Sequence, residues 1–501
     1  MARKRSIGRA LLKAAAVLVV LVLMAGIWLW WLGGGMPQVK VDYAAELNKA
    51  ALAVPEEDRA WPIYIEAVSK LPKLKERAAF DDLISSAAPG GERWTEAVRA
   101  LDEYAEVVAL IREGAAKAAA GVIAEPEVSK DILEAEGRGD EYEPYTGPNP
   151  AWVVDVVLPQ LSEFRSMTRI LRVDALHAAE VGDGDRITAD IEAMAGLGRQ
   201  AREQPILINA LVAQAIGVAA AQATERIIHD NADVLGEAQL ARIDHALMSA
   251  FTGPGTTLDL TGERYFFLDV IQRLYSDDGQ GNGRITAKGL EDFNTKNLVF
   301  DQKPAMPHSR VLAGFMSLFS MDRAALTAMV NGFYDELEAY AARSPWARGP
   351  DTFDVRIETM HANGNPLDMG ERLVSLLMPA LSSAVHRTDE SRTEVEAARL
   401  LIALDRFRLA HGTWPASPDE LVPTLIDHVP LDPFTGDPLK YMLTDAGPVI
   451  YSVGVDREDD GGRPSAHANR WRPVDQVQSI PADDPDGIGG DWVLYPAPDD
   501  G

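Results

Sequence analysis

No cysteine occurs in the 501 residues. That excludes disulfides, thiolate nucleophiles, cysteine-based zinc sites and lipoprotein acylation, and it is compatible with an oxidising compartment without requiring one. The nine histidines are never spaced as H-x-x-x-H, and HExxH, G-x-S-x-G and Walker phosphate loops are all missing. One G-x-G-x-G exists, at Gly279, Gly281 and Gly283, but nothing strand-like precedes it, so a dinucleotide site is not expected. Positive charge is also short: 48 Lys and Arg face 76 Asp and Glu, a formal net charge of -28. Such a surface repels nucleic acid and anionic headgroups and attracts cations, so nucleic acid is not an expected partner. With 76 acids present, nominating an acid/base pair from sequence alone carries no information.

What is present begins with a membrane-length segment. Ala14 to Leu32 is an uncharged apolar run of 19 residues, enough to cross a hydrocarbon core at about 1.5 Å per residue. Arg3, Lys4, Arg5, Arg9 and Lys13 precede it without one acid, and Trp28, Trp30 and Trp31 stand where an interfacial belt would lie. The charge bias predicts residues 1–13 in the cytoplasm, 14–32 as a single transmembrane anchor, and the bulk outside. The rival is a cleaved signal peptide with Gly33 and Gly35 before the cut. The anchor is preferred, because the apolar run exceeds the ~7–15 residues of a signal core.

Residues 36–387 read as a mainly α domain of helical hairpins. The apolar fraction of 47% and charged fraction of 25% are those of a folded protein. Spacings of three and four predict helices over 94–120, 152–181, 187–198, 205–229, 264–275, 287–298 and 366–386, with a polar surface loop over 125–150. Ile206 to Ala223 is apolar on nearly every face and reads as a central core helix. Short connections make neighbours antiparallel.

Residues 388–501 read as a small α+β domain. A helix leads into His411-Gly412-Thr413-Trp414-Pro415, then Asp432-Pro433-Phe434-Thr435-Gly436-Asp437-Pro438-Leu439-Lys440-Tyr441, then Tyr451-Ser452-Val453-Gly454-Val455-Asp456 and Asp459-Asp460-Gly461-Gly462. Arg399, Leu400, Leu404, Phe407 and Arg408 form the stripe expected to pack on the sheet, with Trp414 and Tyr441 as core aromatics. In that order these elements resemble the globular head of the major pseudopilin of type II secretion systems. The resemblance implies a helix on an antiparallel sheet and one calcium ion. Its ligands would be backbone oxygens of Ser452 and Val453 with carboxylates of Asp456, Asp459, Asp460 and Asp491. A solvated acidic turn needing no ion is the alternative. Two departures stand out: the 463–490 insertion, with Arg470-Trp471-Arg472, is long for the family, and some 350 residues separate anchor from head. Assembly by bundling of a continuous membrane-to-head helix is therefore not expected. The whole chain resembles bacterial membrane-anchored proteins that carry such a head on a helical region, a likeness that brings no activity with it.

A second acidic loop lies between two predicted helices. Starting at Asp278, oxygen side chains Asp278, Gln280 and Asn282 fall at positions 1, 3 and 5 of an EF-hand-like pattern, Gly283 at 6 and Ile285 at 8, with Arg284 and Thr286 completing the segment. Position 12, however, is Gly289 in place of the bidentate Glu. A solvated interhelical turn and a degenerate calcium loop (Asp278, Gln280, Asn282, Arg284) are the two readings.

These observations point to a bacterial inner-membrane, single-pass protein with its bulk outside the cytoplasm. It would bind or scaffold a protein partner in secretion or envelope assembly, with a calcium-stabilised head. The alternatives are an envelope hydrolase with its site in a helical-domain cleft, and a calcium sensor using both loops.

Overall fold

Ala, Leu and Glu lose little rotamer freedom in a helix, so the Ala- and Leu-rich middle of the chain favours one. The protein is mainly helical in the computed structural model, which describes residues 2–147, 149–252, 257–296, 309–348, 352–365, 368–378, 381–465 and 489–496. Helix α1 spans Ala2–Leu32; its segment Leu12–Leu32, with a mean hydropathy of 2.5, is unburied and long enough to cross a membrane.

The first hydrophobic core gathers α2 (Trp61–Lys70), α3 (Trp94–Glu103), α4 (Ala105–Ala116), α5 (Gln160–Glu180), α6 (Gly184–Ala201), α7 (Leu207–Asp230) and α8 (Glu237–Leu247). Helices α5 and α6 form a hairpin closed by Gly182 in the left-handed region and by Asp183, whose carboxylate accepts the Arg186 amide at 3.0 Å. Gly196 lets α6 meet α4 closely, since a Cβ there would lie 2.2 Å from the Ala115 carbonyl oxygen. Arg112, Asp174, Arg186 and Asp190 form an ion-paired cluster tying α4, α5 and α6 together. Helix α7 is long and apolar enough to span a membrane, yet more than half of that stretch is buried. It is the central core helix read from the sequence.

Four expected boundaries shift, one of them the 366–386 helix, which is Met369–Leu377 followed by a separate helix from Leu381. The 94–120 helix is two, α3 and α4, bent at Tyr104 (φ −109°, ψ 27°), because hydrophobic spacing alone does not register a bend that preserves the buried face. The 125–150 loop contains a helix, Lys130–Ala135, whose Ile132 and Leu133 are buried in the protein. The 152–181 helix begins only at Gln160, after a short 3-10 turn at Val153–Asp155 whose Val153 amide is held by Asp269 at 3.0 Å.

A second core contains α9 (Thr261–Leu274), α10 (Ala287–Thr295), α11 (Arg310–Met316), α12 (Arg323–Ala341) and α13 (Met369–Leu377) around buried Phe267, Leu290, Tyr334 and Leu373. Helix α14, Leu381–His411, joins the two. Its Leu381 and Val385 lie in the second core, and from Val395 onward it belongs to the first. Residues 387 and 388, where sequence reading places the start of the head, lie inside this unbroken helix.

The sheet has three antiparallel strands in the order β1 (Lys440–Thr444), β2 (Gly447–Ser452), β3 (Trp492–Tyr495). Leu400 and Leu404 are buried in the same core as Ile450 and Leu494, as the helix stripe implied. Arg399 and Arg408 differ. Arg399 pairs with Asp244 of α8 at 2.7 Å, while Arg408 pairs with Asp405 and Asp233 and stacks over Trp414. A long guanidinium lies along an apolar stripe and carries its charge elsewhere. Tyr441 is half-buried and donates to the Pro415 carbonyl at 2.8 Å.

Helix α1 does not hang free of this body. Helix α11 crosses the last turn of α1 at two glycines: a Cβ on Gly33 would lie 2.0 Å from the Arg310 carbonyl oxygen, and one on Gly314 would lie 1.9 Å from that of Leu29. The Gly33 carbonyl then accepts the Ala287 amide at 3.1 Å, and Pro37 bridges Ser276.

Candidate functional site

The head's acidic loop is built on one turn. Asp432 is buried; its Oδ1 accepts the Phe434 amide and its Oδ2 accepts the Val453 amide, each at 2.8 Å, so the D-P-F turn holds the end of β2. Ser452 Oγ accepts the Gly454 amide at 3.1 Å. Beyond that turn Asp456 accepts from the Glu458 amide at 3.1 Å and from Gly490 at 3.3 Å. Fully buried Asp491 accepts from the Asp460 amide at 3.3 Å and Gly462 at 2.7 Å. These bonds bring Asp456, Asp460 and Asp491 together. Asp459 turns away, to the Tyr451 hydroxyl at 3.1 Å and the Lys440 ammonium at 3.3 Å.

The electrostatics follow. Burial, with Asp460 and Glu458 adding, pushes the Asp456 carboxyl above the usual carboxylate range, and burial with Asp459 and Asp460 does the same to Asp491. Burial acts on Asp459 too, but the Gly461 amide, Lys440 and Tyr451 outweigh it and hold this carboxyl below its usual range. An all-oxygen donor set in which Asp456 and Asp491 have no ion-pair partner among the described residues suits a hard cation such as calcium. Among the described residues, however, no three acidic or histidine side chains are already grouped as metal ligands. Each carboxylate here is aimed at an amide or, for Asp460, at Arg463 2.6 Å away. Arg470, Trp471 and Arg472 of the insertion lie outside the described residues.

The 276–286 loop has the opposite character. Asp278 accepts the Gln280 and Asn282 amides at 2.8 and 3.0 Å, bonds that, led by the Gln280 amide, hold its carboxyl below the usual range. Asp277 meets Lys40 at 2.5 Å and Arg323 at 3.1 Å. Ser276 and Arg284 close the loop through their backbones, and Gln280, Asn282 and Arg284 are exposed. At position 12 a Cβ on Gly289 would lie 2.5 Å from the Leu274 carbonyl oxygen, so the twelfth ligand's place is filled by backbone. The geometry favours the interhelical turn, which receives the segment that follows α1 through Pro37 and Lys40.

Sequence reading missed a cleft of about 580 Å³ at the seam of both cores and the head. Its carboxylates are already engaged. Asp389 pairs with Arg348, Glu396 with Arg399, and Glu338 with Arg264. Three cations on its wall make no ion pair among the described residues: Arg202, Arg343 and Arg392. Arg202 donates to the Ala250 carbonyl at 2.6 Å and lies over Phe251; Arg392 donates to the Thr252 carbonyl at 2.9 Å. Both thus grip one π-helical turn, Met248–Thr252. Burial without an opposing carboxylate lowers Arg202 to about 10. Trp346, in the short turn Pro345–Ala347 after α12, lies against Gly436 of the head. No lining hydroxyl is hydrogen-bonded to His428 among the described residues. The three guanidiniums stand too far apart in the chain to leave a local sequence signal.

Two acids, buried Glu225 and half-buried Glu394, were equally invisible among 76. Burial, then Glu394, pushes Glu225 well above the usual range; burial, then Glu390, raises Glu394 to about 7. Neither lines the cleft.

No protein-family model, curated protein or solved structure matches the chain.

Proposed function

We propose that this chain is a single-pass, membrane-anchored protein whose bulk lies outside the cytoplasm and binds a protein partner of the bacterial envelope. The observation that carries the binding role is the seam cleft. Its acids are each ion-paired, and Arg202, Arg343 and Arg392, which make no ion pair among the described residues, are suited to a carboxylate or phosphate of the partner. The uncleaved anchor is supported by the glycine crossing of α1 and α11: removing residues before Gly33 would strip α11 of its packing partner.

Photo-crosslinking in cells from a benzoylphenylalanine at Trp346 tests the binding role. A discrete protein adduct that Arg392→Glu abolishes is expected. An intact, membrane-located protein giving no adduct there or at Arg343 would sink it. For orientation, a C-terminal alkaline phosphatase fusion should be active, and an inactive fusion beside an active cytoplasmic reporter reverses the topology.

The head retains the pseudopilin resemblance of its motifs, and calcium is part of the same proposal. Asp456, Asp460 and Asp491 would hold the ion, after Asp460 releases Arg463. What supports calcium is the pair of carboxyls raised by burial and by neighbouring negative charge.

A further inference from the structure

We propose that helix α11 and the turn after it form a second membrane contact, an apolar foot that lies in the outer interface of the bilayer beside the anchor. The inference rests on the anchor reading above. The glycine crossing sets the height. Because Gly314 touches the backbone of Leu29 and Gly33 that of Arg310, α11 sits level with the last turn of the apolar segment Leu12–Leu32. At about 1.5 Å per residue, Leu29 is only ~5 Å from that segment's end, within the ~5–10 Å that interfacial helices enter.

One side of α11 is spent on the protein: Ala313 and Gly314 are buried, and Ser317 Oγ donates to the Ile285 carbonyl at 3.2 Å. The other side is apolar and bare. Val311, Phe315, Leu318 and Phe319 are 43%, 37%, 42% and 43% exposed, at spacings of four, three and one that place them on one face. The Phe315 and Phe319 rings are 5.1 Å apart. Arg310 completes the amphipathic layout. Its guanidinium lies 4.7 Å over the Trp30 ring and makes no ion pair among the described residues, which leaves it for headgroup phosphates at the tryptophan level. A lipid surface fits better than a protein partner because the face is continuous with α1, which is itself unburied along its apolar length. With two contacts rather than one, the body is held at a fixed tilt and does not swivel on a single helix.

The cysteine-free chain allows single-site labelling of the full-length protein. Nitroxides at Val311→Cys and Phe319→Cys, in phosphatidylcholine proteoliposomes, are compared with Leu21→Cys in the anchor and exposed Val181→Cys. The expected result is an oxygen-to-nickel-chelate collision ratio at 311 and 319 several-fold above that at 181 and approaching that at 21. Equal ratios at 311, 319 and 181, with 21 in lipid, overturn the foot and leave the anchor standing. Low collision with both reagents means that protein covers the face, which also overturns it. A water-accessible label at 21 defeats the anchor reading, and the foot with it.

Discussion

The two acidic, glycine-bearing loops look alike as sequence and differ in charge balance. In the 276–286 loop every central carboxylate is answered. Asp277 has Lys40 and Arg323, Asp278 has two amides, and both carboxyls are held below their usual range, Asp277 first by Lys40. In the head loop, half-buried Asp456 and buried Asp491 lie near further acids and are pushed the other way, by burial first. Counting acids and glycines could not separate the two. What separates them is where Lys40 and Arg323 come from: the segment after α1 and a later helix, brought to one loop only by the fold.

Backbone substitutions give the largest expected contrast. A Cβ on Gly283 would lie 1.5 Å from the Ser276 carbonyl oxygen, against backbone that cannot yield. Gly283→Val should therefore cost about 3 kcal/mol or more in urea unfolding, in the range of severe overpacking. Gly461 is left-handed (φ +70°) but faces open space, so Gly461→Ala should cost only ~1 kcal/mol. Equal costs would mean that the 276–286 loop is not the rigid seat for the segment after α1 described above.

Calcium comes next. If only the head loop binds it, ligand linkage at 100-fold excess over Kd gives about 2.7 kcal/mol, several degrees in the melting temperature. Asp456→Ala with Asp460→Ala should abolish the calcium shift, whereas Asp278→Ala should leave it whole. A calcium shift lost with Asp278→Ala would invert the assignment, and equal destabilisation by the head pair in calcium and in chelator would remove it.

Legibility follows locality. The apolar helix of membrane-spanning length is readable because it is one contiguous run, Ala14 to Leu32, and the core helix α7 because it is apolar on nearly all faces. Leu400 and Leu404 are placed correctly because a helix stripe must bury what it repeats. Arg399 and Arg408 do not pack on the sheet as expected, since a stripe position fixes the stem and not where the charge ends. Asp432 reads in sequence as turn chemistry alone, and its second bond, to Val453, depends on a strand 21 residues away. The cleft leaves no mark in the sequence, because Arg202, Arg343 and Arg392 meet only through the packing of both cores.

The smallest effect is the most diagnostic, because its sign differs between the loops. Asp277 has a folded pKa below its unfolded value, so it contributes stability above the unfolded pKa near ~4, lost as pH falls through the depressed folded value. Asp491 has a folded pKa above its unfolded value. In chelator its contribution is fully present below ~4 and is lost as pH rises through the raised value. Urea unfolding of the full chain in chelator, across the acid range up to neutrality, should then show opposite slopes. The stability of the native chain over Asp277→Asn grows with pH, while its stability over Asp491→Asn shrinks. Calcium should flatten the second slope alone, by supplying the cation that the Asp491 carboxylate lacks. Parallel slopes would mean that the head loop, like the 276–286 loop, already balances its charge without an ion.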